Sequence, residues 1–160
     1  MIVLNLTYKL TNLYLIQSRV GWIMVDAGWP NTLPQVLQLL KQKDVHISDI
    51  KYLVITHFHP DHAGLVQDLR ELGIKLILHE TQVSFVNKLN NLFKKNPAII
   101  YKDIIIENSI ILSSSESKEF LINVGIEGVL IPTPGHSDDS ISLVIDKYCA
   151  FTGDLPEFSI

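Results

Sequence analysis

The sequence predicts an α/β protein in which helices are laid over a sheet, and three observations predict it. Apolar residues alternate over the first 26 positions, strand-like and helical stretches succeed one another from Lys51 to Phe93, and three short apolar runs return after Val129. Helix and strand stretches in that order pack as layers around a shared core.

Taken along the chain, Ile2, Leu4 and Leu6 fall on one face of an extended backbone, and Leu13, Leu15 and Trp22 to Val25 continue the pattern. Asp26-Ala27-Gly28 breaks it with a turn. Thr32 to Gln42 carries Leu33, Val36, Leu37 and Leu40 at helical spacing, with Asn31 as the expected N-cap and Pro34 in the first turn. Lys51 to Thr56 reads as a strand ending at His57, and Leu65, Val66, Leu69 and Leu72 form a helical stripe closed by Gly73. Lys75 to Leu78 is a further strand, and Glu80 to about Phe93 a second long helix. Residues 94–125, with Pro97, the polar run Ser113 to Ser117 and Asn123-Val-Gly125, read as hairpins and loops. Val129 to Ile131, Ile141 to Ile145 and Cys149 to Thr152 are expected strands. No repeat of fixed period and no linker interrupts the chain, so residues 1–160 are expected to form a single domain.

Composition narrows the function. The chain is 47% hydrophobic and 19% charged, enough apolar material for a packed core and too much for disorder. A net charge of −4, with scattered Lys and Arg, disfavours nucleic acid. One cysteine, Cys149, rules out an intrachain disulfide. The apolar N-terminus is interrupted by Asn5, Lys9, Asn12, Gln17 and Arg19, so no membrane span is expected and a cytoplasmic location is.

The chemistry concentrates in Thr56-His-Phe-His-Pro-Asp-His62. His57 and His59 are two apart and point to one side of an extended chain. Asp61 and His62 follow just before a helix, where the chain reverses and can bring them back to the first two. Three imidazoles and one carboxylate suit zinc, or iron or manganese. No packing requirement explains four titratable groups in seven residues, because burying them unpaired is costly. Two further pieces stand apart: Pro132-Thr-Pro-Gly-His136, and Phe151-Thr-Gly-Asp154 at a strand end.

The order His-x-His-x-Asp-His, then Gly-His about 70 residues on, then Thr-Gly-Asp, resembles the motif set of the metallo-β-lactamase superfamily. Leu13 to Ile16 and Val25-Asp26-Ala27-Gly28 resemble that family's N-terminal strands and Asp-x-Gly turn, so the likeness spans residues 2–156. It implies an αββα sandwich with metals in a cleft at one edge of two sheets. It implies two divalent ions, zinc foremost with iron or manganese as alternatives: one held by His57, His59 and His136, one by Asp61 and His62, with Asp154 between them. Asp26 would orient a ligand imidazole through its other ring nitrogen. The activity implied resembles glyoxalase II and the lactonases: hydrolysis of a small ester, thioester or lactone by metal-bound hydroxide, with Asp61 or Asp154 moving the proton. The same motifs occur in mononuclear iron oxygenases acting on persulfides, for which His57, His136 and Asp154 would supply the ligands. Class B1 β-lactamases place a cysteine ligand where this chain has Asp154, which argues against antibiotic hydrolysis, and Cys149 reads as a buried apolar filler.

The sequence departs from the family pattern in two places. The ligand set is normally finished by a later histidine, but none follows His136 and the sequence stops six residues past Asp154. That implies a chain shortened at its C-terminus, with a second metal one ligand short unless the site is mononuclear or another chain completes it. A shortened chain would expose an apolar edge through which copies associate, or would be an inactive remnant. Ser137-Asp-Asp-Ser140 stands where many relatives carry a glycine; Asp138 and Asp139 read as loop acids, the latter disturbing the packing or facing solvent. His79 reads as a hydrogen-bonded structural histidine and His46 as a solvated one.

Overall fold

The computed structural model describes residues 1–7 and 9–155. A short strand, β1 (Val3–Asn5), pairs antiparallel with β2 (Tyr14–Ser18), which pairs antiparallel with β3 (Gly21–Val25). Parallel pairing then adds β4 (Ile50–Val54), β5 (Lys75–His79) and β6 (Ile110–Leu112), completing a six-stranded sheet in sequence order. A second sheet is fully antiparallel: β7 (Gly128–Pro132), β8 (Ile141–Ile145) and β9 (Cys149–Phe151).

Strand alternation gives the large sheet two apolar faces. Leu15, Met24, Leu53, Leu76 and Leu78 face one core, while Ile16, Ile23, Val25, Val54 and Ile77 face another. The first core is closed by helices: α1 (Leu33–Gln42) contributes Val36 and Leu40, α3 (Val66–Glu71) Val66 and Leu69, and α4 (Val83–Lys94) Val86, Leu89 and Phe93. The second core lies between the sheets, where Leu130, Ile141, Leu143, Ile145 and Phe151 point inward. Among the described residues the layers are therefore helix, sheet, sheet, three of the four in the expected sandwich. On the outer face of the second sheet Val129, Ile131 and Val144 are only half-buried. No described helix is long and apolar enough to cross a membrane.

Three local expectations are corrected. Residues 94–125 hold regular structure: β6, then α5 (Ser114–Asn123), which lies against β7 and adds Leu121 to the inter-sheet core, joined there by Val124 at its C-cap. The Ser-rich run is its start, capped reciprocally by Ser113 and Glu116. The N-cap of α1 is Thr32 rather than Asn31, which takes a left-handed turn conformation (φ 59°) just before it. Leu72, expected on a buried stripe, is exposed beyond the end of α3. A four-residue helix, α2 (Pro60–Ala63), precedes α3 and starts inside the histidine cluster.

Candidate metal centre

Three strand ends build the site. The chain leaving β4 carries His57 and His59, and Pro60 starts α2, which turns Asp61 and His62 back toward them. The loop from β7 to β8 carries His136, and the segment leaving β9 carries Asp154. Four imidazoles meet: the His57 ring centroid lies 4.5 Å from that of His59, 4.2 Å from His62 and 4.9 Å from His136. All six residues expected as ligands are thus brought to one place.

Asp26 organises two of these rings. It sits at the end of β3 in a left-handed conformation (φ 63°), buried, with its carboxylate turned toward the histidines. It accepts the Thr56 N–H at 2.7 Å and the Thr56 hydroxyl at 2.9 Å, and His62 Nδ1–H donates to it at 2.8 Å. With its proton committed to Asp26, Thr56 Oγ1 is left as an acceptor for His57 Nδ1–H at 3.2 Å. His57 is thereby set as the tautomer whose Nε2 carries the lone pair. That atom is buried and has no hydrogen-bond partner among the described residues. Gly153 permits this packing, for it adopts φ 67° and a Cβ there would stand 2.5 Å from Thr56 Oγ1 and 3.2 Å from His57 Nδ1.

The remaining donors converge on the same space. His136 Nε2 lies 3.1 Å from His59 Nδ1. The two Asp154 oxygens lie 3.2 Å from His62 Nε2 and 3.6 Å from His136 Nε2, and an Asp61 oxygen lies 3.4 Å from His62 Nε2. Two trios have donor atoms within 4.8 Å of one another: His57, His59 and His136, and His57, His62 and Asp154. The second of these, rather than His57, His136 and Asp154, is the two-histidine, one-carboxylate set that gathers. A divalent cation fits this arrangement. An orphaned buried imidazole nitrogen needs a partner, and nitrogens bound to one tetrahedral zinc stand about 3.3 Å apart, close to the His59–His136 separation.

Protonation follows position. Burial, reinforced by the neighbouring His62, His59 and His136, lowers His57 to about 3, so it is neutral at pH 7. Burial acts against the charged form of His62 too, but hydrogen bonds to Asp26 and Asp61 overcome it and raise His62 to about 10. The His62 hydrogen bond holds Asp61 below the usual carboxylate range.

Asp139 is not a solvent-facing loop acid: it is 3% exposed, and its carboxylate accepts the Phe58 N–H at 2.7 Å. Gln82, fully buried, donates through its amide to Ile55 O at 2.9 Å and to Asp139 O at 3.3 Å, a role its sequence context gave no sign of. Asp138 is exposed. His79 caps the turn before α4 and contacts Ser114, and exposed His46 bonds Ser48. Cys149 is half-buried against the inter-sheet core. Two cavities open beside the site. One of about 430 Å³ has Asp26, Thr56, His62 and Asp154 on its wall, and one of about 490 Å³ has His59 and His136 beside Phe85, Lys88 and Leu92.

Comparison with known proteins agrees with the geometry. The family model of the metallo-beta-lactamase superfamily matches residues 6–156. The chain is 29% identical over 147 residues to the lactamase-like protein aptB of Emericella nidulans, covering 90% of this chain and 39% of that protein. It is 26% identical over 159 residues to the probable metallo-hydrolase YflN of Bacillus subtilis, covering 89% of this chain and 59% of that protein. It therefore spans roughly half the length of these curated relatives. Among solved structures, a mutant metallo-beta-lactamase from Cronobacter sakazakii superposes with a TM-score of 0.71 at 21% identity, over 88% of this chain and 55% of that one. The FEZ-1 metallo-beta-lactamase from Legionella gormanii gives 0.66 at 20%, over 92% and 55%. Likeness at this identity speaks to the fold alone.

Proposed function

The chain belongs to the metallo-β-lactamase superfamily, and from that premise we propose that it is a metal-dependent hydrolase of a small ester, thioester or lactone. The observation that carries the reading is His57 Nε2, a buried lone pair without a partner among the described residues, where four imidazoles meet. His57, His59 and His136 would hold one ion, and Asp61, His62 and Asp154 a second. When bound, the ions would supply a water that is nucleophilic at neutral pH and would polarise the scissile carbonyl. Asp26 holds the His62 ring directly, and the His57 ring through Thr56, so that their Nε2 atoms face the reacting centre. Asp61 is ionised at neutral pH and available to accept a proton, and Asp154 is the more exposed carboxylate beside it. Carboxyl esters are favoured over phosphodiesters, because Lys88 is the only Lys or Arg among the described residues lining the two adjoining cavities.

The test is metal analysis of the purified 160-residue chain, followed by a panel of esters, thioesters and lactones with and without chelator. One to two zinc per chain, with chelator-sensitive turnover of a panel member, is the expected result. A folded chain that takes up no divalent metal refutes the proposal, and about one iron per chain with no esterase activity turns it toward oxygen chemistry.

A further inference from the structure

Resting on the metal reading, we infer that Asp139 and Gln82 are positioning residues that hold the His57–His59 segment and the His136 loop in register for the ion. Neither side chain takes part in a strand ladder. Their partners are main-chain groups of the segments that carry the histidines.

Phe58 is the link between His57 and His59, so the tilt of its peptide group sets the direction of both rings. Its N–H is held at 2.7 Å by the Asp139 carboxylate, three residues beyond His136 in the chain. A rotation at Phe58 is therefore resisted from the loop bearing the third imidazole. The main chain repeats the tie next door, where Ile141 N–H donates to Thr56 O at 2.8 Å. Gln82 closes the frame from the start of α4. Its amide donates to Ile55 O at 2.9 Å, Thr56 O at 3.4 Å and Asp139 O at 3.3 Å, and its Oε1 accepts His79 N–H at 3.2 Å. One planar group thus fixes the ends of β4 and β5 and the residue that holds Phe58. Among the described residues Asp139 forms no ion pair, so its carboxylate is not there to neutralise a surface Lys or Arg. Donors must be held to within a fraction of an ångström to grip an ion, and residues that orient ligands through a second hydrogen bond act by that means.

Cobalt(II) titration of the metal-stripped chain tests this, reading affinity and the visible ligand-field bands that report coordination geometry. Asp139→Ala is expected to weaken cobalt binding by about 10–100-fold and to change the bands, the scale seen when outer ligand supports are removed. Asp139→Asn, which keeps an oxygen for Phe58, should restore most of both. Asn90→Ala is the control for lost stability alone. Asn90 is also buried, in α4, where it holds Tyr101 and Ile104 away from the site, so its loss should lower the melting temperature and leave the bands unchanged. Should Asp139→Ala not fold, Gln82→Met, of similar volume but without the amide, carries the same expectation. Wild-type affinity and bands in the Asp139→Ala or Gln82→Met chain, or an equal change in Asn90→Ala, overturns the inference while leaving the hydrolase reading intact. A folded wild-type chain that binds no cobalt overturns both.

Discussion

Replacing Asp26 by alanine strips three buried groups of their partner at once: Thr56 N–H, the Thr56 hydroxyl and His62 Nδ1–H. A buried donor left unsatisfied costs about 1–3 kcal/mol, and breaking a buried charged pair from one side about 3–5 kcal/mol. These penalties share one carboxylate and do not add in full. The adjoining cavity of about 430 Å³ also lets water reach the vacated space. The expected loss is therefore about 3–5 kcal/mol rather than the full sum, read by urea unfolding of the metal-stripped chain at pH 7. Asp26→Asn keeps an acceptor for Thr56 but removes the charge facing His62, and should cost about 1–2 kcal/mol. The two variants share a second signature. His62, raised to about 10 by its hydrogen bonds to Asp26 and Asp61, should fall toward its ordinary range, followed by NMR of its ring protons. A loss below about 1 kcal/mol in Asp26→Ala, or a His62 that still titrates near 10 in either variant, would refute this account of the carboxylate.

Two other outcomes follow from the same geometry. In the metal-stripped chain, between pH 6.5 and about 10 folded His62 keeps a proton that the unfolded chain has released. Its contribution is therefore whole below pH 6.5 and lost as pH rises through that window. His57 acts in the opposite sense: between about 3 and 6.5 the unfolded chain takes a proton that the buried ring refuses, so stability falls with falling pH. Stability should peak near pH 6.5 with slopes approaching about 1.4 kcal/mol per pH unit on each side, and urea melts across pH 4–9 that show no such maximum would count against both assignments. Gly153→Ala places a Cβ 2.5 Å from Thr56 Oγ1 at φ 67°. It should cost at least about 2 kcal/mol through the left-handed strain and the displaced hydroxyl, and an unchanged urea midpoint would show that the loop yields freely.

What the sequence disclosed depended on how local each signal is. His57, His59, Asp61 and His62 fall within six residues, so one strand end and one turn bring them together. His136 and Asp154 are legible only as members of an ordered set, since a single histidine after two prolines and a glycine, or one aspartate after a glycine, has many uses. Asp139 and Gln82 escaped because their contacts reach across 81 and 57 residues to main-chain atoms, and such bonds leave no periodicity behind. The helix α5 leaves little apolar periodicity in the sequence, because its first six residues, Ser114 to Glu119, are polar. Its one local mark was the Ser113–Glu116 pair, three residues apart, which caps a helix start.

The number of ions the site would hold turns on a single atom. His57 belongs to both gathered trios, yet with Nδ1 committed to Thr56 it has only the Nε2 lone pair to give. If that lone pair joins His59 and His136, the first ion has three nitrogens, and Asp61, His62 and Asp154 remain as a second set. The Asp154 oxygens, 3.2 and 3.6 Å from His62 and His136, then face both sets. If it joins His62 and Asp154 instead, one ion has two nitrogens and a carboxylate, and His59 and His136 are left as a pair 3.1 Å apart. The all-nitrogen set suits zinc, while the two-nitrogen, one-carboxylate set with open positions suits ferrous iron. On the proposed reading, metal identity and stoichiometry would be coupled: two zinc and one iron would correspond to different owners of the same lone pair. The Asp139–Gln82 frame bears on that choice, because the Phe58 peptide it holds sets how His57 and His59 face His136.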